Sequence, residues 1–178
     1  DGPARGLLTG ERVALNFLGH LSGIASVTRA IVEAIKPHKA RVVDTRKTTP
    51  GLRAIEKYAV RVGGGSNHRF GLDDAVLIKD NHVAVAGGIV AAIERARAHT
   101  GHPVKTDIEV DSLAQPEQAL PVGADAVPLD KMSPQTLAEA VCPLDRRAST
   151  HASGRTHSDL ACPLPASGAH PISSGRIF

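Results

Sequence analysis

Arg46, Lys47, His68, Arg69 and Lys79 supply a series of cations in the first half of the chain, and Glu109 and Asp130 supply acids in the second. Small, backbone-rich stations follow at Ser153–Gly154 and Ser174–Gly175. An arginine offers a planar fork that matches carboxylate or phosphate, and a lysine offers a compact charge. So many cations repel one another unless anions occupy the space between them. Carboxylates such as Glu109 and Asp130 can hold Mg²⁺ or accept hydrogen bonds from sugar hydroxyls. Exposed N–H groups in Ser-Gly loops suit a phosphate. Together these groups fit a polyanionic substrate and a metal-bound sugar phosphate.

Taken singly, each station has an ordinary explanation. "DTRKTTPGLR", residues 44 to 53, reads by itself as a solvated loop, and "VGGGSNHR" as a flexible turn lacking the full G-x-G-x-x-G fingerprint. His20 and His99 read as surface or core fillers, and "RARAH" as the wet face of a helix.

Position is what unites the polar stations. Each ends a short apolar run: "ARVVDT", "DAVLIKD", "VKTDIEV", "ADAVPLD", "ASTHASG" and "HPISSG". From Lys47 through Lys79, Glu109, Asp130 and Ser153 to Gly175 the gaps are 32, 30, 21, 23 and 22 residues. Each gap is about one strand-plus-helix unit. The helical stretches between are "GLRAIEKYAVRV", "GGIVAAIERARAH", "SLAQPEQAL", "SPQTLAEAV" and "SDLACPLPAS". This βαβα alternation predicts an α/β fold with a parallel sheet. A (β/α) barrel, incomplete at 37–178, is the expected form, and an open doubly wound sheet is the rival. In a barrel the strands' C-terminal ends carry the active site. A long helix over 9–36 precedes it. Val13, Phe17, Leu21, Ile24, Thr28, Ile31 and Ile35 form its apolar stripe, with Thr9 as N-cap and Pro37 as stop.

Composition narrows the function classes. The 178 residues, 42% hydrophobic and 22% charged, are enough for one domain with a core. A net charge of +3 without a long basic run, and only three Phe, one Tyr and no Trp, argue against a nucleic-acid partner. Cys142 and Cys162 lie twenty apart with no Cys-x-x-Cys, so a zinc or redox motif is not expected. No apolar run reaches the ~18 residues of a membrane span, and no signal peptide opens the chain. A cytoplasmic location and no membrane partner are therefore expected.

The stretch "VVDTRKTTPGLRAIEKYAVRVGGGSNHRFGLDDAVLIKDNH", flanked by "ERVALNFLGHLSGIAS" and "IEVDSL", resembles the quinolinate phosphoribosyltransferase family. The resemblance is dense from about residue 7 to 115 and thins afterwards. It implies phosphoribosyl transfer from phosphoribosyl pyrophosphate to quinolinate with decarboxylation, giving nicotinate mononucleotide, and a need for Mg²⁺. By position, Arg46, His68, Arg69 and Lys79 resemble the family's quinolinate binders, with Thr45 in the same substrate-binding stretch. Arg12 resembles an arginine lent across a dimer interface, which implies a homodimer or higher homo-oligomer. Lys47 resembles the group facing pyrophosphate. Glu109 and Asp130 resemble the acids near ribose and metal, and with Lys47 and Lys79 they make up the catalytic set. Ser153, Gly154, Ser174 and Gly175 resemble the 5′-phosphate loops.

Departures from the family pattern are also legible. The chain opens at "DGPARGLLTGER", so the family's N-terminal domain of roughly a hundred residues is expected to be absent. It stops at Phe178, so the barrel's closing element is expected to be missing. Eight of the twelve prolines follow residue 115, which sets strand and helix formation there against the missing N–H groups. Pro128 sits inside a strand run, and Pro163 and Pro165 inside a would-be helix. Lys131 stands where the family has Asn, and His151 where it has Glu. The alternative expectation is a non-catalytic remnant that only binds ligand or dimerises.

Overall fold

The computed structural model describes residues 2–36, 38, 40–112, 114–130, 136, 139, 149–153, 172–173 and 177–178. In chain order the elements are α1 (Ala4–Ile35), β1 (Val42–Val43), α2 (Arg53–Val62), β2 (Ala75–Ile78), α3 (Asp80–Ala86) and α4 (Ile89–His99). β3 (Lys105–Ile108), α5 (Gln115–Ala119), β4 (Ala126–Asp130), β5 (Ser149–Ser153) and β6 (Ile172–Ser173) follow. Every described strand pairing is parallel, and the sheet order is β1-β6-β5-β4-β3-β2. All six strands therefore fall within the six apolar runs. The order never reverses in the middle, as a doubly wound sheet requires, so that rival is set aside. A bridge from Val43 to Ser66 adds one more parallel contact on the outer edge of β1.

Two apolar clusters hold the elements. Ile78, Ile108, Val110, Val127 and Leu129 of the sheet pack against Ile89 and Ile93 of α4 and Ala119 of α5. Ile24 and Ile35 of α1 meet Val42, Ala59, Val60 and Ile177 in the second. Because strand side chains alternate, Lys105, Asp107 and Glu109 occupy the face opposite Ile108. Thr106, Asp107 and Ile108 are all buried, so both faces of β3 are covered.

α1 departs from expectation at its start. It begins at Ala4, and the Thr9 hydroxyl donates to Arg5 O inside the helix, so Thr9 is no cap. At 32 residues it is about 48 Å long, far longer than ten-residue α2. Its second half packs, burying Ile24, Thr28 and Ile35, while Leu7, Leu8, Val13, Leu15, Phe17 and Leu18 stay exposed. No described helix is long and apolar enough to cross a membrane.

"VGGG" serves close packing. A Cβ at Gly63 would lie 2.5 Å from Ala25 O, and one at Gly65 2.9 Å from Thr28 Cγ2. Gly87 and Gly88 also differ from their helical reading. Gly87 caps α3 with φ 88°, and Gly88 precedes α4. α3 fills a stretch between the expected strand and helix for which no element is expected; His82 Nδ1 accepts the Lys79 N–H at 2.9 Å, one half of a capping box. Pro128 is buried in β4, and its carbonyl accepts the Val110 N–H at 2.9 Å. The β3–β4 pairing is broken at that level, reduced to Asp107↔Ala126 and the bridge Val110↔Leu129, as a missing N–H dictates. The helices expected over 133–141 and 158–167 lie largely or wholly outside the described residues.

Candidate active site

β1 ends in a buried acid rather than in the cations. Asp44 is fully buried, and its Oδ1 receives the Lys57 ammonium at 2.5 Å and the His68 N–H at 2.8 Å. Lys57 also donates to His68 O at 3.1 Å. The Asn67 amide, oriented to satisfy its neighbours, donates to Asp44 Oδ2 and Lys57 O at 3.0 Å each. Burial pushes the Asp44 carboxyl above its ordinary range, outweighing the ammonium and the N–H that favour its charge.

α2 supplies this holding face through residues at i, i+3 and i+4. Arg53 donates to Thr48 Oγ1 (3.1 Å), Phe70 O (3.1 Å) and Arg46 O (3.5 Å). Glu56, wholly buried, accepts from the Thr49 N–H (3.0 Å) and His20 Nε2 (2.7 Å). Burial disfavours the Glu56 charge, but the bonds from His20 and Thr49 prevail and hold its carboxyl below the ordinary range. One short helix thus grips both cation-bearing loops.

The loops bring the arginines together. Arg69 Nη1 donates to Ala75 O at 3.2 Å, and Asp74 accepts the N–H groups of Phe70 (2.5 Å) and Gly71 (3.3 Å), tightening the bend. Burial lowers the Arg69 pKa, and repulsion from Arg46 lowers it further; Asp107 and Asp74 oppose both. Burial, then Arg69 and Lys57, depress His68, leaving its imidazole neutral at pH 7. Asp107, on the same face of β3 as Lys105, is pushed up to about 6 by burial and by Asp125.

A second group stands at the ends of β2 and β3. Lys79 Nζ lies 3.5 Å from Glu109 Oε2, and Glu109 N–H donates to Ile78 O at 2.9 Å. They share a cavity of about 320 Å³ with Asp80, Asp111 and Gln115. Thr45 is half-buried, and its hydroxyl accepts the exposed Lys47's N–H at 3.1 Å.

The expected residues divide accordingly. Arg46, His68 and Arg69 come together, and Lys79 meets Glu109. Arg12 stands on the exposed first half of α1, and no hydrogen bond or ion pair among the described residues joins it to either group. Asp130 and Ser153 close β4 and β5 as backbone only, in register with each other. Gly154, Ser174 and Gly175 lie outside the described residues. Asp44, Arg53, Glu56 and Lys57 are not among the expected site residues; the signal available was Glu56 and Lys57 on the turn after Arg53, which reads equally as a solvated face.

Among the described residues no three His, Cys, Asp or Glu side chains gather around a possible metal position. Glu109 is one carboxylate, beside an ammonium. That donor set fits an ion that draws most of its ligands from substrate phosphates and water, as Mg²⁺ does.

Residues 24–178 match the family model described as quinolinate phosphoribosyl transferase, C-terminal domain. The carboxylating nicotinate-nucleotide pyrophosphorylase of Mycobacterium leprae is 51% identical over 147 residues, 83% of this chain and 51% of that protein. The human protein of the same name is 48% identical over 138 residues, 76% of this chain and 46% of that protein. A crystal structure of NadC from Streptococcus pyogenes superposes with a TM-score of 0.94 at 47% identity, covering 99% of this chain and 62% of that one. The chain thus spans about half to three fifths of the length of these relatives.

Proposed function

The chain belongs to the quinolinate phosphoribosyl transferase family, and on that premise we propose that it carries the phosphoribosyl-transfer site of de novo NAD synthesis. The observation that carries this reading is the Arg46–Arg69 pair. Arg46 and Arg69 stand on two neighbouring loops that Arg53 bridges through Arg46 O and Phe70 O, and buried bonds from Lys57 and Asp44 to the His68 backbone hold the second loop in place. Such a pair suits a substrate with two carboxylates. Quinolinate is one.

In the proposed reaction the quinolinate ring nitrogen forms a bond to the anomeric carbon of phosphoribosyl pyrophosphate. The carbon–oxygen bond to pyrophosphate breaks, and pyrophosphate takes the electron pair. The 2-carboxylate then leaves as CO2, and its electron pair remains on the ring carbon until a solvent proton arrives. Arg46, Arg69 and His68 bind and orient the ring. Lys79 offsets the negative charge left on the carbon, and Lys47 faces the departing pyrophosphate. Glu109 stabilises the positive ribose of the transition state. Mg²⁺, held by Glu109 and Asp130 with phosphate oxygens, would neutralise the leaving group. Thr45, Ser153, Gly154, Ser174 and Gly175 complete the substrate contacts, the last four around the 5′-phosphate.

The sheet order, the burial of both β3 faces and the Ser66 bridge on the outer edge of β1 support a barrel. The exposed apolar half of α1, with Arg12 on it, supports a homodimer in which Arg12 serves the partner's site. A cytoplasmic location goes with this reading. Binding without turnover is the second reading, favoured by the lack, among the described residues, of any hydrogen bond or ion pair between Arg12 and either group.

Calorimetric titration with quinolinate, paired with a thermal melt and an assay for nicotinate mononucleotide, tests both. Saturable binding with Mg²⁺-dependent product supports the transferase. Binding without product leaves the second reading standing. A folded chain whose melt quinolinate does not shift overturns the first reading.

A further inference from the structure

We infer that Lys57 is a positioning residue that sets the spacing between Arg46 and Arg69 through Asp44 and the His68 peptide groups. The inference rests on the dicarboxylate site proposed above. Arg46 lies two residues beyond Asp44, and Arg69 directly follows His68. The Lys57–Asp44 pair holds both backbone groups of His68: Asp44 Oδ1 takes its N–H at 2.8 Å, and Lys57 Nζ gives to its carbonyl at 3.1 Å. The two arginines therefore share one foot. Lys57 is 1% exposed and touches no solvent that a substrate could displace. A buried ion pair is weak evidence for stability alone, since apolar residues of similar volume do as well or better. This pair instead ties both backbone groups of His68 to the end of β1, where Asp44 leads into the Arg46 loop, a link that apolar side chains could not hold in register. Arg53 bridges the same loops from outside through Arg46 O and Phe70 O.

Loosening the foot should weaken simultaneous capture of two carboxylates more than capture of one. The readout is the ratio of quinolinate to nicotinate affinity, measured by calorimetry on the same preparation. Lys57→Met should lower that ratio by about tenfold or more. Ile93→Ala, which opens a cavity in the other cluster, should lower the melting temperature and leave the ratio unchanged. Lys57→Arg should restore part of it. If Lys57→Met gives no cooperative melt, Asp44→Asn decides, since it keeps an acceptor for the His68 N–H and removes the charge. A ratio unchanged in the folded variant overturns the positioning role. A ratio that falls equally in Ile93→Ala overturns it too, because general loosening then explains the effect. Failure of the unaltered chain to bind quinolinate at all would instead overturn the dicarboxylate site itself.

Discussion

Two halves of the candidate site are held by opposite means. The arginine half is anchored from below: Asp44, Glu56 and Lys57 are at most 1% exposed, and each carries two or more bonds. The Lys79–Glu109 half is one partly exposed ion pair at 3.5 Å. On the proposed reading, fixed cations would meet a rigid aromatic diacid without moving, so little would be lost in ordering them on binding. An ion pair at a cavity mouth can open when phosphate and metal arrive, because its own contribution is small. The difference suggests that the ring of quinolinate is met by a preformed site, and the phosphoribosyl donor by one that its ligand completes.

The largest effect expected of this contrast lies in the buried half. Lys57→Ala leaves Asp44 buried without its cation, and removing one partner of such a pair costs about 3–5 kcal/mol. Denaturant unfolding followed by circular dichroism reads it. A loss below about 1 kcal/mol would mean that the pair behaves like a surface one, and the contrast would dissolve. Arg69→Ala comes next. Losing a charge-assisted contact in a partly desolvated site should weaken quinolinate binding by about 2–4 kcal/mol. Unchanged affinity in the calorimeter would remove Arg69 from the site.

How legible was this arrangement? The strands announced themselves because β-branched runs broken by polar pairs have few other ways to fold. The ring of chemical groups followed from their placement at the ends of those runs. The holding layer was hidden, since Glu56 and Lys57 on a short amphipathic helix look like a wet face, and only the packing of α2 against the loops makes them interior. Gly63 and Gly65 looked flexible for a similar reason: the atoms that demand glycine belong to Ala25 and Thr28, some forty residues away in sequence. α3 was missed because "DNHVAVA" opens with turn formers, and Gly87 and Gly88, which punctuate it, were counted into the next helix. Thr9 was misplaced because α1 extends past any residue that needs to pack, so nothing local marks its start.

Asp107 sharpens the comparison through pH. Its carboxyl rises from 3.8 to about 6, so the folded protein binds that proton more tightly than the unfolded chain. The contribution is therefore favourable below pH 4 and is lost as pH rises from about 4 to about 6. Ionising it costs up to about 3 kcal/mol. Asp107→Asn should flatten the fall of stability across that window in metal-free buffer, with the gap between the two curves constant above it. A gap that shrinks with rising pH would mean that Arg69 holds Asp107 charged, and that the two half-sites are electrostatically one.

The smallest effect should come from Glu109. Glu109→Gln removes the charge opposite Lys79 while keeping shape. A pair this exposed contributes less than about 1 kcal/mol to folding, so the melt should hardly move. Quinolinate affinity should also hold, because the arginine half does not depend on Glu109. Phosphoribosyl pyrophosphate binding in Mg²⁺ should fall, and product formation with it, since the carboxylate's charge is needed once the donor is present. Three measurements on one variant thus separate the halves. If quinolinate binding falls as far as donor binding, the two halves are a single network, and the arginine half is not preformed without its neighbour.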